Sequence, residues 1–182
     1  MGQPKLWLAY DPENTFLAHI VQLYRQNGID EVVVVINADF CGREWSGHTD
    51  GIRHLADVVE NPAPDLGRMH SIQLGLRKLE ADHVFIHDVD RPYISPKLIH
   101  ELKKQTTDCE VTVPVYKGRK GHPVVIGPKV KKLILDDHLK FGSLKTALST
   151  FDKRLVNTDE RGILVNINTD NEYRKMKGGH IS

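Results

Sequence analysis

The chain has 182 residues and a formal net charge of +1, with 40% hydrophobic and 27% charged residues. This length predicts one domain with a full hydrophobic core. The net charge is too small to give a positive electrostatic field that would attract nucleic acid or an anionic membrane. The two cysteines, Cys41 and Cys109, form no C-x-x-C pair, so neither a disulfide framework nor a zinc site is suggested. No apolar run approaches the ~20 residues of a membrane span. We therefore expect a cytoplasmic protein without nucleic-acid or membrane partners.

Helix and strand patterns alternate from the amino terminus onward. Apolar residues at helical spacing predict a helix over residues 15–26, capped by Asn14 or Thr15 and closed by Gly28. The run of four valines and an isoleucine at 32–36 predicts a strand that is buried on both faces. A helix followed by such a strand is half of a β-α-β unit, whose first strand would precede Lys5.

The alternation continues through the rest of the chain. Further strands are predicted at residues 58–59, 83–86, 111–115, 123–126, 154–157 and 163–167. Further helices are predicted at 71–79, from 95, at 129–135, at 143–149 and from 171. The strands on either side of the basic glycine loop 116–123 are predicted to form a two-stranded ribbon or an edge of the sheet that folds back on itself. Together these elements predict one Rossmann-like α/β domain over 1–182, with a mostly parallel sheet and flanking helices.

Two acids that directly follow a predicted strand are the first candidates for function. Asp88 and Asp90 come just after the strand 83–86, and open α/β sheets bind their ligands at the carboxyl ends of strands. Two carboxylates at this spacing suit a hard divalent cation that bridges protein and phosphate oxygens. The other interpretation is structural, with Arg91 pairing with either acid.

Asn166 and Asn168 form a second candidate near the end of the predicted strand 163–167. Strand alternation places the two side chains on the same side, and an asparagine oxygen can complete an Mg²⁺ shell. The alternative is ordinary helix capping by residues 168–170. Capping explains Asn168 well and Asn166 poorly.

Two loops offer contacts to a phosphorylated ligand. Gly67 leads into a helix that begins at or before Ser71, and such an amino end presents backbone N–H groups and a hydroxyl to a phosphate or a base edge. The alternative is an ordinary capped surface helix. The basic loop 116–123 either clamps an anionic substrate or is a solvated hairpin tip.

These candidates are expected to meet at one edge of the sheet. Lys5, residues 67–71, Asp88, Asp90 and Asn166 together predict a magnesium-dependent phosphate site without a nucleophile triad or a redox motif. For chemistry on an NTP, Lys5 would neutralise the leaving pyrophosphate, while Mg²⁺ would bridge Asp90 and phosphate oxygens.

Short motifs follow one another in a characteristic order along the chain. They are G-x-x-x-S, D-x-P, G-H-P and N-I-N-T, at residues 67–71, 90–92, 121–123 and 166–169. With residues 1–5, which match the tail of L-A-A-G-x-S-x-R-M-G-x-x-K, this order resembles the MobA-like nucleotidyltransferases, most closely the molybdenum cofactor cytidylyltransferases. Residues 87–92 also resemble the H-D-x-x-R-P motif of the methylerythritol phosphate cytidylyltransferases, which makes Asp88 a rival to Asp90 as metal ligand.

The resemblance implies an activity and a role for each motif. The fold would be of the nucleotide-diphospho-sugar transferase type, and the activity of the EC 2.7.7 type. CMP would pass from CTP to a phosphate-bearing acceptor, and pyrophosphate would leave. Molybdopterin is the expected acceptor, and a sugar, polyol or other phosphate is the alternative. A molybdoenzyme would be a further partner. The implied residues are Lys5 and Asp90 for catalysis; Gly2, Lys5, Gly67 and Ser71 for the nucleotide; Gly121, His122 and Pro123 for the acceptor; and Asp90, Asn166 and Asp88 for Mg²⁺.

The first strand and glycine loop of that family have no counterpart before Lys5. In the family this strand is internal, so its loss would remove about five ladder hydrogen bonds to each neighbour at ~0.5–1.5 kcal/mol each, and several aliphatic side chains at ~1.5–3 kcal/mol each. That sum rivals the ~5–15 kcal/mol stability of a whole domain. We expect that the sequence as given starts at an internal methionine. The two alternatives are that another polypeptide completes the fold, or that the chain is a non-catalytic module that binds a nucleotide, a pterin or a partner enzyme.

Overall fold

Helices and strands alternate along the computed structural model, which describes residues 3–137 and 140–178. The helices are α1 (Phe16–Gln26), α2 (Ser46–Arg53), α3 (Gly67–Leu76), α4 (Pro96–Gln105), α5 (Pro128–Asp137), α6 (Leu144–Ala147) and α7 (Asp170–Lys177). The strands are β1 (Val33–Asn37), β2 (Asp57–Asn61), β3 (Val84–Ile86), β4 (Val111–Tyr116), β5 (Arg119–Lys120), β6 (Val124–Ile126) and β7 (Arg154–Asn157). Within these ranges no helix is long and apolar enough to cross a membrane. The alternation confirms the predicted α/β class.

The strands form two groups with mixed directions. β1 pairs with β2 in parallel, in the register Val33↔Asp57 to Asn37↔Asn61. In the second group β3, β6, β4 and β5 follow one another antiparallel, and β7 pairs with β4 in parallel. The predicted ribbon is the reason that the sheet is not mostly parallel, because it folds β6 back between β3 and β4. The central sheet with flanking helices is as expected.

Helices cover both faces of the second group of strands. Along β6, Val124 and Ile126 pack in a cluster with α3 and α5, whereas Val125 packs with α1 and α4. This alternation is the period of two that a strand imposes on its side chains. The start of α1 is fixed by Thr15, whose side chain accepts a hydrogen bond from the Ala18 N–H, so Thr15 is the cap of the two that were predicted.

The predicted strand at 163–167 is wrong. The chain forms a 3-10 turn over Arg161–Leu164, and Val165 continues in an extended conformation. Ile163 is 1% exposed, and its carbonyl accepts a hydrogen bond from the His122 N–H at 3.0 Å. The apolar residues of this segment are therefore buried against the ribbon, but the segment does not form the regular hydrogen bonds of a β-strand.

Gly121 lies where the ribbon touches this 3-10 turn, and it leaves no room for a side chain. A Cβ at this position would lie 2.6 Å from the backbone oxygen of Ile163, while the Gly121 N–H is held by the Pro114 carbonyl at 2.9 Å. We expect Gly121→Ala to lower the free energy of unfolding by about 1–3 kcal/mol, the usual range for overpacking. Urea unfolding checks this, with Gly142→Ala as the control because nothing lies within 4 Å of a Cβ there. Equal midpoints for the two variants would contradict it.

β1 is less buried than its sequence predicts. Val33, Val34 and Val35 are half-buried, and only Ile36 is fully buried. β2 covers one edge of β1, and no strand within residues 3–137 and 140–178 pairs with the other edge. A cavity of about 680 Å³, lined by β1 and β3, lies there instead. This open edge explains why a valine run typical of a central strand remains partly accessible.

Candidate nucleotide and metal site

The segment after β3 forms the centre of the candidate site. The Arg91 N–H donates to the Asp88 carbonyl at 3.1 Å, which closes a turn over residues 88–91. Within this turn the Asp90 carbonyl accepts a hydrogen bond from the Ile167 N–H at 2.7 Å. That bond holds residues 165–168 beside the turn, so Asp90 and Asn166 lie in neighbouring segments.

Lys5 reaches the same edge of the sheet from the amino-terminal 3-10 turn, Lys5–Trp7. Its Nζ donates to Asn168 Oδ1 at 2.5 Å, across a sequence separation of 163 residues. The charge of Lys5 also opposes the rise in the pKa of Asp90 that burial causes. Lys5 is therefore close enough to act together with Asp90. Gly2, the other amino-terminal candidate, lies outside the described residues.

Asp88 is engaged in an ion pair with Arg68, which belongs to the first turn of α3. Arg68 Nη2 lies 2.8 Å from Asp88 Oδ1 and 2.9 Å from Oδ2. Arg91 Nε and His122 Nδ1 are each 3.9 Å from Asp88 Oδ2. The structural interpretation of Asp88 therefore fits, with Arg68 as a closer partner than the expected Arg91. Arg68 lies inside the motif 67–71, directly after Gly67. This position was the only sign in the sequence that Arg68 could pair with an acid of the site.

Asp90 has the opposite environment. Its Oδ1 is buried and has no hydrogen-bond partner among the described residues. Burial, and next the charge of Asp88, raise the pKa of Asp90, while Arg91, Lys5 and Arg68 oppose that shift. A buried carboxylate oxygen without a donor fits a hard divalent cation. No group of three or more His, Cys, Asp and Glu side chains in the described ranges could hold a metal, so such an ion would need other oxygen ligands.

A buried histidine supports the turn from behind. His87 Nε2 lies 2.8 Å from the Arg91 carbonyl, and His87 Nδ1 lies 2.9 Å from the Tyr24 hydroxyl. A carbonyl can only accept, so Nε2 carries the proton and Nδ1 accepts from Tyr24. Burial lowers the pKa of His87 to about 4, which keeps the ring neutral near pH 7. This support could not be predicted from the sequence, because Tyr24 and His87 are 63 residues apart.

The helix that follows β2 begins at Gly67, which has a φ of +81°. Ser71 consequently lies in the second turn of α3 and not at its amino end. Its hydroxyl accepts a hydrogen bond from Asn61 Nδ2 at 3.0 Å, and Asn61 is 1% exposed at the end of β2. This bond ties α3 to the β1–β2 pair. The N–H groups that face outward therefore belong to residues 67–70.

The G-H-P motif divides into two structural parts. Gly121 and Pro123 are buried in the ribbon, whereas His122 is half-buried and turns Nδ1 toward Asp88. Burial lowers the pKa of His122 to about 4, with the charge of Arg91 as the next cause. The basic tip is separate: positive φ angles of 46° and 77° at Lys117 and Gly118 make a two-residue hairpin turn with exposed side chains. His122 is the member of the motif for which a contact with the acidic turn is seen, to Asp88.

A lysine, an aspartate pair, an arginine and a helix amino end lie at one edge of this α/β sheet. This arrangement is typical of proteins that bind nucleotide phosphates. Residues 1–156 match the model of the MobA-like NTP transferase domain. The chain belongs to this family, and it is a nucleotidyltransferase of the EC 2.7.7 type. The family predicted from the short motifs is thereby confirmed.

Individual relatives agree with this assignment. A protein of Bacillus cytotoxicus named probable molybdenum cofactor guanylyltransferase is 30% identical over 96% of this chain and 88% of its own length. A nucleotidyl transferase from Methanothermobacter has a TM-score of 0.75 at 20% identity, covering 97% of this chain and 85% of that one. A Mycobacterium tuberculosis H37Rv protein, solved as a complex with manganese, has a TM-score of 0.72 at 20% identity, covering 96% and 92%. The two structural likenesses confirm the fold.

Proposed function

We propose that this protein, acting as one domain over residues 1–182, transfers a nucleoside monophosphate from an NTP to the phosphate of a molybdopterin-type acceptor. An acceptor phosphate oxygen would attack the α-phosphorus, the bond from that phosphorus to the bridging oxygen would break, and pyrophosphate would leave with this oxygen. The observation that carries the proposal is the buried Oδ1 of Asp90, which has no hydrogen-bond partner in the described part of the chain and feels the charge of Lys5. A cytoplasmic location and a molybdoenzyme partner stay predictions.

Asp90 and Asn166 are the proposed protein ligands of Mg²⁺, with phosphate oxygens completing the shell. The bound ion would supply positive charge to the triphosphate in the transition state. Lys5 would stabilise the departing pyrophosphate, because its ammonium lies at the same edge and donates to the neutral Oδ1 of Asn168. Asp88, though a rival metal ligand by sequence, is assigned a positioning role through its pair with Arg68.

The remaining predicted residues are assigned to the two substrates. Gly67 would bring the backbone N–H groups at the start of α3 close to the nucleotide, with Ser71 behind them holding α3 to Asn61. Gly2 retains the nucleotide-binding role that the resemblance implies. The acceptor would approach along residues 121–123, where His122 is the member that faces the acidic turn.

The identity of the base is proposed as guanine. The resemblance to cytidylyltransferases favours CTP and transfer of CMP, whereas the Bacillus relative is named a guanylyltransferase. The name of that relative has the greater weight, because the alignment spans 88% of its length. The loop that helps to choose the base in this family has no counterpart before Lys5, so the motifs themselves discriminate poorly.

Pyrophosphate release tests the proposal. The protein is incubated with Mg²⁺, molybdopterin and each of the four NTPs in turn, and we expect release with GTP well above the other three. Release with CTP instead would restore the cytidylyltransferase prediction. Calorimetric binding of an NTP without release from any of them would support the alternative, a module that binds nucleotide or pterin without turnover. Neither binding nor release would overturn both.

A further inference from the structure

The second group of strands has an open edge at β7. β7 pairs with β4 on one side, and within the part of the chain that the structure describes no strand pairs with its other side. Leu155, inside β7, is 49% exposed, and in the same part of the chain Leu66 is the other large hydrophobic residue with such exposure. Native proteins usually shield an edge strand from pairing with another chain. The open edge and an exposed leucine therefore coincide on one strand.

The backbone groups of Leu155 and Asn157 point away from β4. The Thr158 N–H donates to the Val115 carbonyl at 2.9 Å, so the backbone of residue 158 faces β4. Backbone groups alternate in direction along a strand, which turns Val156 toward β4 and its two neighbours outward. Two N–H groups and two C=O groups are therefore presented at the open edge.

The basic side chains of β7 are not extended over this edge. Lysine on an edge strand often prevents pairing with another chain. Lys153 Nζ, however, donates to the carbonyls of Leu148 and Phe151 at 2.6 and 3.1 Å. Arg154 Nη1 donates to two carbonyls at and just after the end of α4, at 3.3 and 3.4 Å. Both cationic groups are thus engaged within their own chain.

We propose that this edge binds a second copy of the chain, with the two β7 strands antiparallel about a two-fold axis at Val156. Such an axis sets identical residues opposite each other, and it sets Leu155 of each copy opposite Asn157 of the other. Each of these two pairs can exchange two backbone hydrogen bonds, because both residues face outward. The exposed Leu155 side chains of the two copies would then lie diagonally across the axis, within reach of each other.

The two ends of β7 carry opposite charges that suit this arrangement. The basic residues 153–154 lie at its amino end, and the acidic residues 159–160 follow its carboxyl end. Antiparallel pairing brings the basic end of each copy beside the acidic end of the other, with Lys153 closest to Asp159. An ammonium has three N–H groups, and the bonds of Lys153 within its own chain use two of them. Asp152 is the exception, because it would face the second acid of the other copy.

The dimer would leave both candidate sites open. β3 and β7 are both parallel to β4, directly for β7 and through the antiparallel β6 for β3. The site at the carboxyl end of β3 therefore lies at one edge of the sheet in one copy and at the opposite edge in the other. The proposal concerns assembly alone and does not rest on the proposed activity.

Sedimentation velocity tests the proposal with the full chain at about 1–500 μM, because an interface of this size belongs to the weak class. We expect a monomer–dimer equilibrium. Leu155→Lys should raise the dimer Kd at least ~10-fold, since it removes the apolar contact and sets two cations across the axis. Leu66→Lys makes the same change at the other exposed leucine and should leave the Kd unchanged. A monomer at every concentration, or equal effects of the two variants, would overturn the proposal.

Hydrogen exchange locates the interface. The N–H groups of Leu155 and Asn157 should exchange at least ~10-fold more slowly in concentrated than in dilute protein. The N–H of Val156 points toward β4 and should not respond to concentration. A dimer that protects other residues and leaves 155 and 157 unprotected would assign self-association to a different surface and contradict the proposal.

A charge exchange tests the antiparallel orientation. Lys153→Glu and Asp159→Lys should each weaken self-association at least ~10-fold, and a 1:1 mixture of the two should dimerise, because opposite charges meet again at both ends. Two folded variants that do not associate with each other would contradict this orientation. If Lys153→Glu does not fold, Asp159→Lys should have a higher dimer Kd than Asp159→Asn, and equal values would contradict it. Because pyrophosphate is not measured, failure here leaves the proposed activity untouched.

Discussion

Asp90→Asn should abolish nucleotidyl transfer and leave the fold at least as stable as before. Removal of a metal-ligating carboxylate costs several kcal/mol of transition-state stabilisation, so we expect kcat to fall by at least ~10³-fold. Burial raises the pKa of Asp90, which means that the folded protein disfavours its charge. Asparagine removes that charge, so the free energy of unfolding should be unchanged or higher. Pyrophosphate release and urea unfolding of the same preparation measure both quantities.

Two further variants make this result specific. Asp88→Asn breaks the ion pair with Arg68, and we expect a smaller loss of activity together with a loss of stability of up to ~1 kcal/mol. Asp136→Asn changes the same chemical group on the surface of α5, where Asp136 pairs with Lys132 at 3.2 Å, and should leave turnover unchanged. Full activity of Asp90→Asn beside an inactive Asp88→Asn would move the metal site to Asp88.

Local patterns predicted most elements of this fold, and the misses have a common cause. The cap at Thr15 and the ribbon around residues 116–123 depend on neighbouring residues, and both are found as predicted in outline. The exposure of Val33–Val35 could not be predicted, because it depends on whether a strand from elsewhere lies beside β1. The segment 163–167 fails for the same reason: its burial against Gly121 is tertiary.

The candidate site shows the same division between local and distant information. That Asp90 follows a strand could be predicted from the chain, and so could its place at the edge of the sheet. The difference between Asp88 and Asp90 could not. Arg68, which binds the Asp88 carboxylate, is 20 residues away, whereas Oδ1 of Asp90 has no hydrogen-bond partner among the described residues. Two acids that look equivalent in sequence thereby acquire different chemical roles.

Acid should destabilise the protein between about pH 6.5 and pH 4, chiefly through His87. Its pKa of about 4 in the folded state lies below the ordinary value near 6.5, so the unfolded chain takes up a proton first as the pH falls. Stability that is present above pH 6.5 is therefore lost toward pH 4, by about 3 kcal/mol for this group. His122 acts in the same direction, and Asp90, with its raised pKa, acts in the opposite direction.

The histidine contribution can be isolated by measuring the free energy of unfolding in urea across this pH range. His87→Gln removes the titrating ring but also its bonds to Tyr24 and Arg91, so it should be less stable than the parent at pH 7 and show a shallower loss toward pH 4. His54→Gln alters a histidine at the exposed end of α2 and should keep the parent slope. Parallel curves for His87→Gln and the parent would show that the neutral, doubly bonded ring is not what acid disrupts. A shallower dependence of the free energy of unfolding on pH would show that protonation of His87 destabilises the fold in acid. Because His87 supports the 88–91 turn, acid would then also disturb the geometry of the candidate site.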